Sequence, residues 1–166
     1  FPGVILGLSG GIDSAFCAAV AVDALGKDKV EAYMLPSNYT SENSTIDAED
    51  CANRLEINLE TIPISDTFLS LEESLKTSFK GLPNDITEEN LQSRIRGTIL
   101  MAISNKKGKM LITTGNKSEV SVGYSTLYGD MNGGFNPIKD IYKTELYALA
   151  NWRNINLPNN ILLDKK

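Results

Sequence analysis

The sequence predicts an α/β fold: a doubly wound parallel sheet with helices on both faces. Two observations carry that expectation. Short apolar runs alternate with stretches of helical periodicity along nearly all of the 166 residues. That is the pattern of βαβ units, whose parallel strands are covered on both sides. In addition, the first apolar run passes through adjacent glycines, Gly10 and Gly11, straight into a helical pattern. In a Rossmann-like sheet this is where a strand's carboxyl end meets a helix start.

Taken in order, Val4, Ile5, Leu6 and Leu8 make the first strand, fed by Phe1 and Pro2. Ala15, Phe16, Ala18, Ala19, Val20, Val22 and Leu25 form the first helix, which stops at Gly26. Val30 to Leu35 is the second strand, ended by Pro36, and Ser37 to Ser44 is a polar loop. Ile46, Ala48, Cys51, Ala52 and Leu55 suggest a helix, and Ile57 to Ile64 the third strand. Phe68, Leu69, Leu71, Leu75 and Phe79 mark an amphipathic helix. After a break around Gly81 and Pro83, Thr87 reads as the N-cap of a long helix through Leu91, Ile95, Ile99, Leu100 and Ile103. Lys109 to Thr113 is the fourth strand, and a Gly-, Asn- and Ser-rich stretch runs from Thr114 to Asn136. A last helix covers about Tyr142 to Arg153, and the Pro158-Asn159-Asn160 tail offers no clear element.

The composition sets limits. At 166 residues, 42% hydrophobic and 22% charged, the chain suits one domain with a real core. The formal net charge of −5 gives no basic field for nucleic acid, so an anionic ligand must be held by local donors. There is no histidine, which excludes a Ser-His-Asp triad and a His-ligated zinc site within the chain. Cys17 and Cys51 read as buried free thiols, which fits a cytoplasmic protein. No apolar run reaches membrane-spanning length, so no membrane contact is expected. The chain begins on its first strand without a methionine, which suggests a fragment.

The stretch Leu8-Ser9-Gly10-Gly11-Ile12-Asp13-Ser14 carries the chemistry. A helix start offers free N–H groups and the positive end of a dipole, and glycines let backbone approach a phosphate. Ser9 and Ser14 add hydroxyls, and Asp13 a carboxylate suited to Mg²⁺ between phosphate oxygens. The spacing is neither a Walker loop nor a G-x-G-x-x-G fingerprint. It resembles the S-G-G-x-D-S loop of the N-type ATP pyrophosphatases, whose members split ATP between the α- and β-phosphates and adenylate a substrate. The loops after the first and fourth strands, Ser9 to Ser14 and Thr114 to Glu119, both leave carboxyl ends and are expected to face one pocket.

A second constellation narrows the resemblance. Thr-Thr-Gly-Asn-Lys-Ser-Glu from Thr113 is followed by Gly123-Tyr124-Ser125-Thr126, Tyr128-Gly129-Asp130, Gly133-Gly134-Phe135-Asn136-Pro137 and Lys143-Thr144-Glu145-Leu146. Together with E-N-x-Q-x-R-x-R in the long helix, these segments resemble the synthetase domain of NAD⁺ synthetases, most closely the glutamine-dependent branch. The resemblance implies an adenine nucleotide α-hydrolase-like fold over residues 1–166. It also implies a piece without the amidase domain that delivers ammonia, and without the family's C-terminal segment.

The resemblance assigns roles residue by residue. Leu8 to Ser14, Thr114 and Lys143 would contact ATP, with Asp13 and Lys143 as the catalytic pair. Asp13 and Glu119 would hold Mg²⁺. Asn90 and Arg94, four apart on the long helix, would contact deamido-NAD, as would Glu119 and Asp130. Arg96 points to a different face than Arg94 and is left out. Leu127 replaces a lysine of the ammonia-dependent relatives and Gly134 an acidic residue, so those two contacts do not carry over. The expected partners are deamido-NAD, ammonia and a second copy of the chain in a homodimer or larger assembly. The rival readings are a GMP synthetase, a tRNA-modifying enzyme with the same loop, and a non-catalytic nucleotide-binding module.

Overall fold

The computed structural model describes residues 1–156; the Pro158-Asn159-Asn160 tail lies outside the described residues. Four strands, β1 (Val4–Gly7), β2 (Val30–Met34), β3 (Asn58–Thr61) and β4 (Met110–Ile112), form one parallel sheet in the order β3-β2-β1-β4. The helices are α1 (Ile12–Leu25), α2 (Glu42–Leu55), α3 (Ser65–Leu75), α4 (Ile86–Lys107), α5 (Lys117–Ser121) and α6 (Lys143–Ile155). The order reverses between β1 and β4, and that switch point is where such sheets open a crevice at their carboxyl ends.

Both faces are covered, as the alternation predicts. Successive strand side chains point to opposite faces. Val4, Leu6, Val30, Ala32, Met34 and Ile112 therefore pack with the α1, α2 and α6 side. Ile5, Tyr33, Leu35 and Leu111 pack with Ile64, Phe68 and Ile95 on the α3 and α4 side. Leu8 extends β1 by donating its N–H to the Tyr33 carbonyl, 2.9 Å away.

Several boundaries differ from expectation. The long helix starts at Ile86 with Asp85, not Thr87, as its N-cap: the Asp85 carboxylate accepts the Thr87 N–H at 2.8 Å, and Glu88 accepts the Asp85 N–H at 2.8 Å. Asp and Thr both suit the position; the reciprocal box with Glu88 selects Asp85. The polar loop after Pro36 ends at Ser41, which caps α2 by accepting the Ser44 N–H. β3 covers only Asn58–Thr61, and α3 runs from Ser65 to Leu75 rather than to Phe79. The stretch after β4 contains the short helix α5, hidden in the sequence by its brevity.

The free edge of β4 is covered by the chain itself. The Thr113 N–H donates to the Phe135 carbonyl and the Gly134 N–H to the Leu111 carbonyl, making a one-residue parallel bridge. Gly133, at φ +152°, fits there because a Cβ would lie 2.2 Å from Thr113 Oγ1. The bridge occupies the outward Leu111 carbonyl and Thr113 N–H of the edge. No described helix is long and apolar enough to cross a membrane.

Candidate active site

The crevice opens where the β1–α1 turn and the β4–α5 turn lie side by side. The first turn is shaped by packing. Gly10 sits at φ +85°, and a Cβ on it would lie 2.2 Å from the Ser44 carbonyl oxygen of α2. Gly11 has an ordinary φ of −80° and is the N-cap of α1 without a side-chain cap. Its missing Cβ would meet only Ser9 Oγ, at 3.4 Å. So Gly10 is required for the close approach of α2, whereas Gly11 keeps the mouth of the helix open. Ser41, Asp85 and Asn116 cap the starts of α2, α4 and α5, whereas the starts of α1 and α3 have no side-chain cap; at α1 the orphan N–H groups border the crevice, where they could meet an anion. Ser9 and Ser14 hold the turn in shape: Ser14 Oγ accepts the Ser9 N–H at 3.1 Å and donates to the Gly11 carbonyl at 3.0 Å. Leu8 is buried and Ile12 packs against the core, so both can offer only backbone to a ligand.

Asp13, in the first turn of α1, is reached from two distant parts of the chain. Asn116 Nδ2 donates to Asp13 Oδ1 at 2.8 Å, and Lys143 Nζ forms an ion pair with Asp13 Oδ2. Asn116 is fully buried, and it caps α5 by accepting the Glu119 N–H at 3.0 Å. In return, Glu119 Oε2 accepts the Asn116 N–H at 3.0 Å. Lys143 is placed by two bonds between α5 and the start of α6. Its own N–H donates to Ser118 Oγ at 3.0 Å, and the Lys117 N–H donates to the Ile141 carbonyl at 2.9 Å. The structure therefore gathers Asp13, Glu119 and Lys143 around Asn116, the residue of this group that the sequence reading did not single out. Its signal was present: an Asn three residues before a Glu is a capping-box spacing.

Two adjoining clefts flank this cluster. One, of about 370 Å³, is lined by Ser9, Asp13, Ser14, Thr114, Glu119 and Asp130, among others. The other, of about 740 Å³, runs from Leu8 and Ser9 past Pro36 and Tyr39 to Asn90, Arg96 and Thr114. Asn90 lines the larger cleft and accepts the Thr126 hydroxyl at 2.9 Å. Asp130 touches both clefts, yet its carboxylate is engaged by the Thr126 N–H at 2.9 Å and by Ser93 Oγ at 3.3 Å. Arg94 is exposed, donates to the Leu127 carbonyl at 3.2 Å, and lines neither cleft. Arg96 lines the larger one, anchored by Nε to the Leu35 carbonyl at 2.9 Å. Burial pulls its pKa below the usual arginine value, but a guanidinium stays cationic. Spacing told the two arginines apart but not which one faces the cleft. Gly97 held that information: a Cβ there would lie 2.5 Å from Asn132 Nδ2 and 2.7 Å from the Gly129 carbonyl oxygen. The Tyr124–Asn132 loop is packed onto that side of α4.

The donor set fits a divalent ion. Asp13 and Glu119 are hard oxygen donors beside the β1–α1 turn. Among the described residues no three His, Cys, Asp or Glu side chains form a cage. Mg²⁺ suits such a place, since it takes one or two carboxylates and completes its shell with phosphate oxygens and water. A covalent nucleophile is not evident. Cys17, one turn beyond Asp13, is fully buried, and burial together with the Asp13 charge pushes its thiol up to about 12.

A glycine turn at the switch point of a parallel sheet, with an uncapped helix start, two acids and a lysine, defines a nucleotide-binding α/β protein of the ATP-pyrophosphatase type. The family is narrower: residues 1–166 match the NAD synthase family, and the chain belongs to it. It is 57% identical over 154 residues to the glutamine-dependent NAD(+) synthetase of Rhodobacter capsulatus, which covers 93% of this chain and 28% of that protein. The corresponding enzyme of Thermotoga maritima is 54% identical over 154 residues, covering 93% of this chain and 27% of that protein. The chain thus spans under a third of the length of these relatives. Among solved structures, the glutamine-dependent NAD+ synthetase of Acinetobacter baumannii in complex with ADP superposes with a TM-score of 0.93 at 51% identity, over 99% of this chain and 31% of that one. The NMN synthetase of Francisella tularensis superposes with a TM-score of 0.81 at 30% identity, over 99% of this chain and 65% of that one.

Proposed function

We propose that this chain is the ATP-binding, adenylating part of a glutamine-dependent NAD⁺ synthetase that amidates deamido-NAD. The observation that carries the reading is the meeting of Asp13, Glu119 and Lys143 beside the uncapped start of α1. That the Acinetobacter relative is in complex with ADP supports nucleotide binding by this fold.

In this reaction a carboxylate oxygen of deamido-NAD attacks the α-phosphorus of ATP. The bond to the bridging α–β oxygen breaks, pyrophosphate leaves, and an acyl-adenylate results. Ammonia then attacks the acyl carbon, loses a proton and displaces AMP, leaving the amide. The N–H groups at the start of α1 grip the pyrophosphate portion, in a turn braced from within by the Ser9 and Ser14 hydroxyls. Lys143 exchanges its ion pair with Asp13 for the phosphate oxygens as the nucleotide enters. Asp13 and Glu119 would hold Mg²⁺, which when bound neutralises charge growing on the leaving group. Thr114 contributes at the boundary of the two clefts. Asn90 and Asp130 shape the dinucleotide side of the larger cleft, where Arg96 rather than Arg94 supplies the inward cation. Rate enhancement then rests on positioning and electrostatics.

The same reading assigns ammonia supply to an amidase domain outside this chain. It places the protein in the cytoplasm and pairs two copies along α4; sedimentation at micromolar concentration checks the pairing. The central test measures pyrophosphate release from ATP and Mg²⁺ with deamido-NAD and ammonium. Release that depends on the dinucleotide, and falls about 10²–10³-fold in Asp13→Ala, is expected. Release indifferent to the dinucleotide sinks the proposal. So does a preference for nicotinate mononucleotide, the acceptor to include given the likeness to the Francisella enzyme.

A further inference from the structure

We propose that Asn116 is a positioning residue that fixes the two metal-facing carboxylates relative to one another; this rests on the function proposed above. Asn116 has no exposed surface, and its side chain and backbone N–H both engage the acids, while its carbonyl accepts the Val120 N–H within α5. Its side-chain amide N–H donates to Asp13 Oδ1 at 2.8 Å. Its backbone N–H donates to Glu119 Oε2 at 3.0 Å, and its side-chain oxygen accepts the Glu119 N–H at 3.0 Å. One residue thus holds one oxygen of each acid.

The consequence is mechanical. Asp13 belongs to α1 and Glu119 to α5, and the two helices follow different strands. Without Asn116 the two carboxylates are oriented by unrelated elements and rotate independently. With it, one oxygen of each is pinned and the other is left to meet the ion or Lys143. Buried amides that orient metal ligands in this way are worth about 10- to 100-fold in metal affinity.

The cap and the positioning role are separable. Asn116→Ser keeps a hydroxyl able to cap α5, because Ser caps about as well as Asn, but it is too short to reach Asp13. Mn²⁺ serves as the probe, and its binding in the presence of ADP is followed by electron paramagnetic resonance. The expected result is a dissociation constant for Mn²⁺ raised about 10- to 100-fold. The melting temperature, and the ADP affinity in EDTA, should stay close to those of the unaltered chain. In an Asp13→Asn background, Asn116→Ser should add no further loss, because the residue acts through Asp13. Unchanged Mn²⁺ affinity in folded Asn116→Ser, or fully additive losses in the pair, overturns the inference. Should Asn116→Ser not fold, Asn116→Asp keeps the shape and the cap and turns an acceptor toward Asp13. Mn²⁺ affinity that is unchanged or raised in that variant overturns it equally. If the unaltered chain binds no Mn²⁺ with ADP, the proposed function falls and this inference with it. If only the variants behave like the unaltered chain, the inference alone falls.

Discussion

Asp13 accepts from residues that lie 103 and 130 positions later in the chain. Spacing in a sequence cannot show such a meeting, although each partner carried a recognisable motif. Glu31 makes the same point away from the site. It sits on β2 and gathers Lys107 at 2.7 Å, Lys109 at 2.6 Å and the buried Tyr33 hydroxyl at 2.9 Å. Burial alone would raise its pKa, but the hydrogen bonds from Lys107, Lys109 and Tyr33 outweigh that and hold it at about 2, against an ordinary 4.5. A folded-state pKa below the unfolded one gives stability that is present above about pH 4.5 and is lost as pH falls toward 2. Because Lys107 faces solvent, the contribution is about 1–2 kcal/mol rather than the full value of the shift. Urea unfolding between pH 2 and 7 should show this loss in the unaltered chain. The Glu31→Gln profile should be flatter over the same window, and parallel profiles would dissolve the argument.

At the scale of elements, the boundaries turn on a few backbone groups. Asp85→Ala removes the cap of α4 and should lower the melting temperature. Thr87→Ala should be nearly neutral, since Thr87 lies inside the helix and only donates its N–H. The β1–α1 turn gives a sharper contrast. Gly10→Ala places a methyl 2.2 Å from the Ser44 carbonyl oxygen at a positive φ and should destabilise by about 1–3 kcal/mol. Gly11→Ala meets no clash. It should melt normally while weakening ADP binding, because its methyl stands at the mouth of the helix. Equal melting of the two variants would show that the turn is not held by α2. Sequence alone located this turn, because strand, glycines and helix are all local signals. It could not divide the glycines between packing and binding, since that division depends on Ser44, which is 34 residues from Gly10 along the chain.

Across the whole molecule, the alternation of apolar periods made the sheet and its two covered faces legible. The order β3-β2-β1-β4, and hence the position of the crevice, depends on which edge β4 joins. Family membership sets aside the GMP synthetase and tRNA-modifying alternatives. It does not show how the last helix packs on the first, a contact that bears on Lys143 along with the bonds at Ser118 and Ile141. Its anchor is a largely buried ion pair: Arg153 Nε and Nη2 donate to the two oxygens of Asp23 at 2.7 and 2.6 Å, joining α6 to α1. Ten residues separate Arg153 from Lys143, about 15 Å of helix, so a tilt at one end is felt at the other. Arg153→Met leaves the Asp23 carboxylate without its partner and should cost about 2–3 kcal/mol, measured by urea unfolding. Removing both charges, in Arg153→Met with Asp23→Leu, should recover most of that stability, because an apolar pair needs no desolvation of ions. If α6 is positioned by this pair, ADP affinity should fall in the single variant and return in the double one. An affinity indifferent to both would mean that the bonds around Ser118 and Ile141 hold Lys143 by themselves.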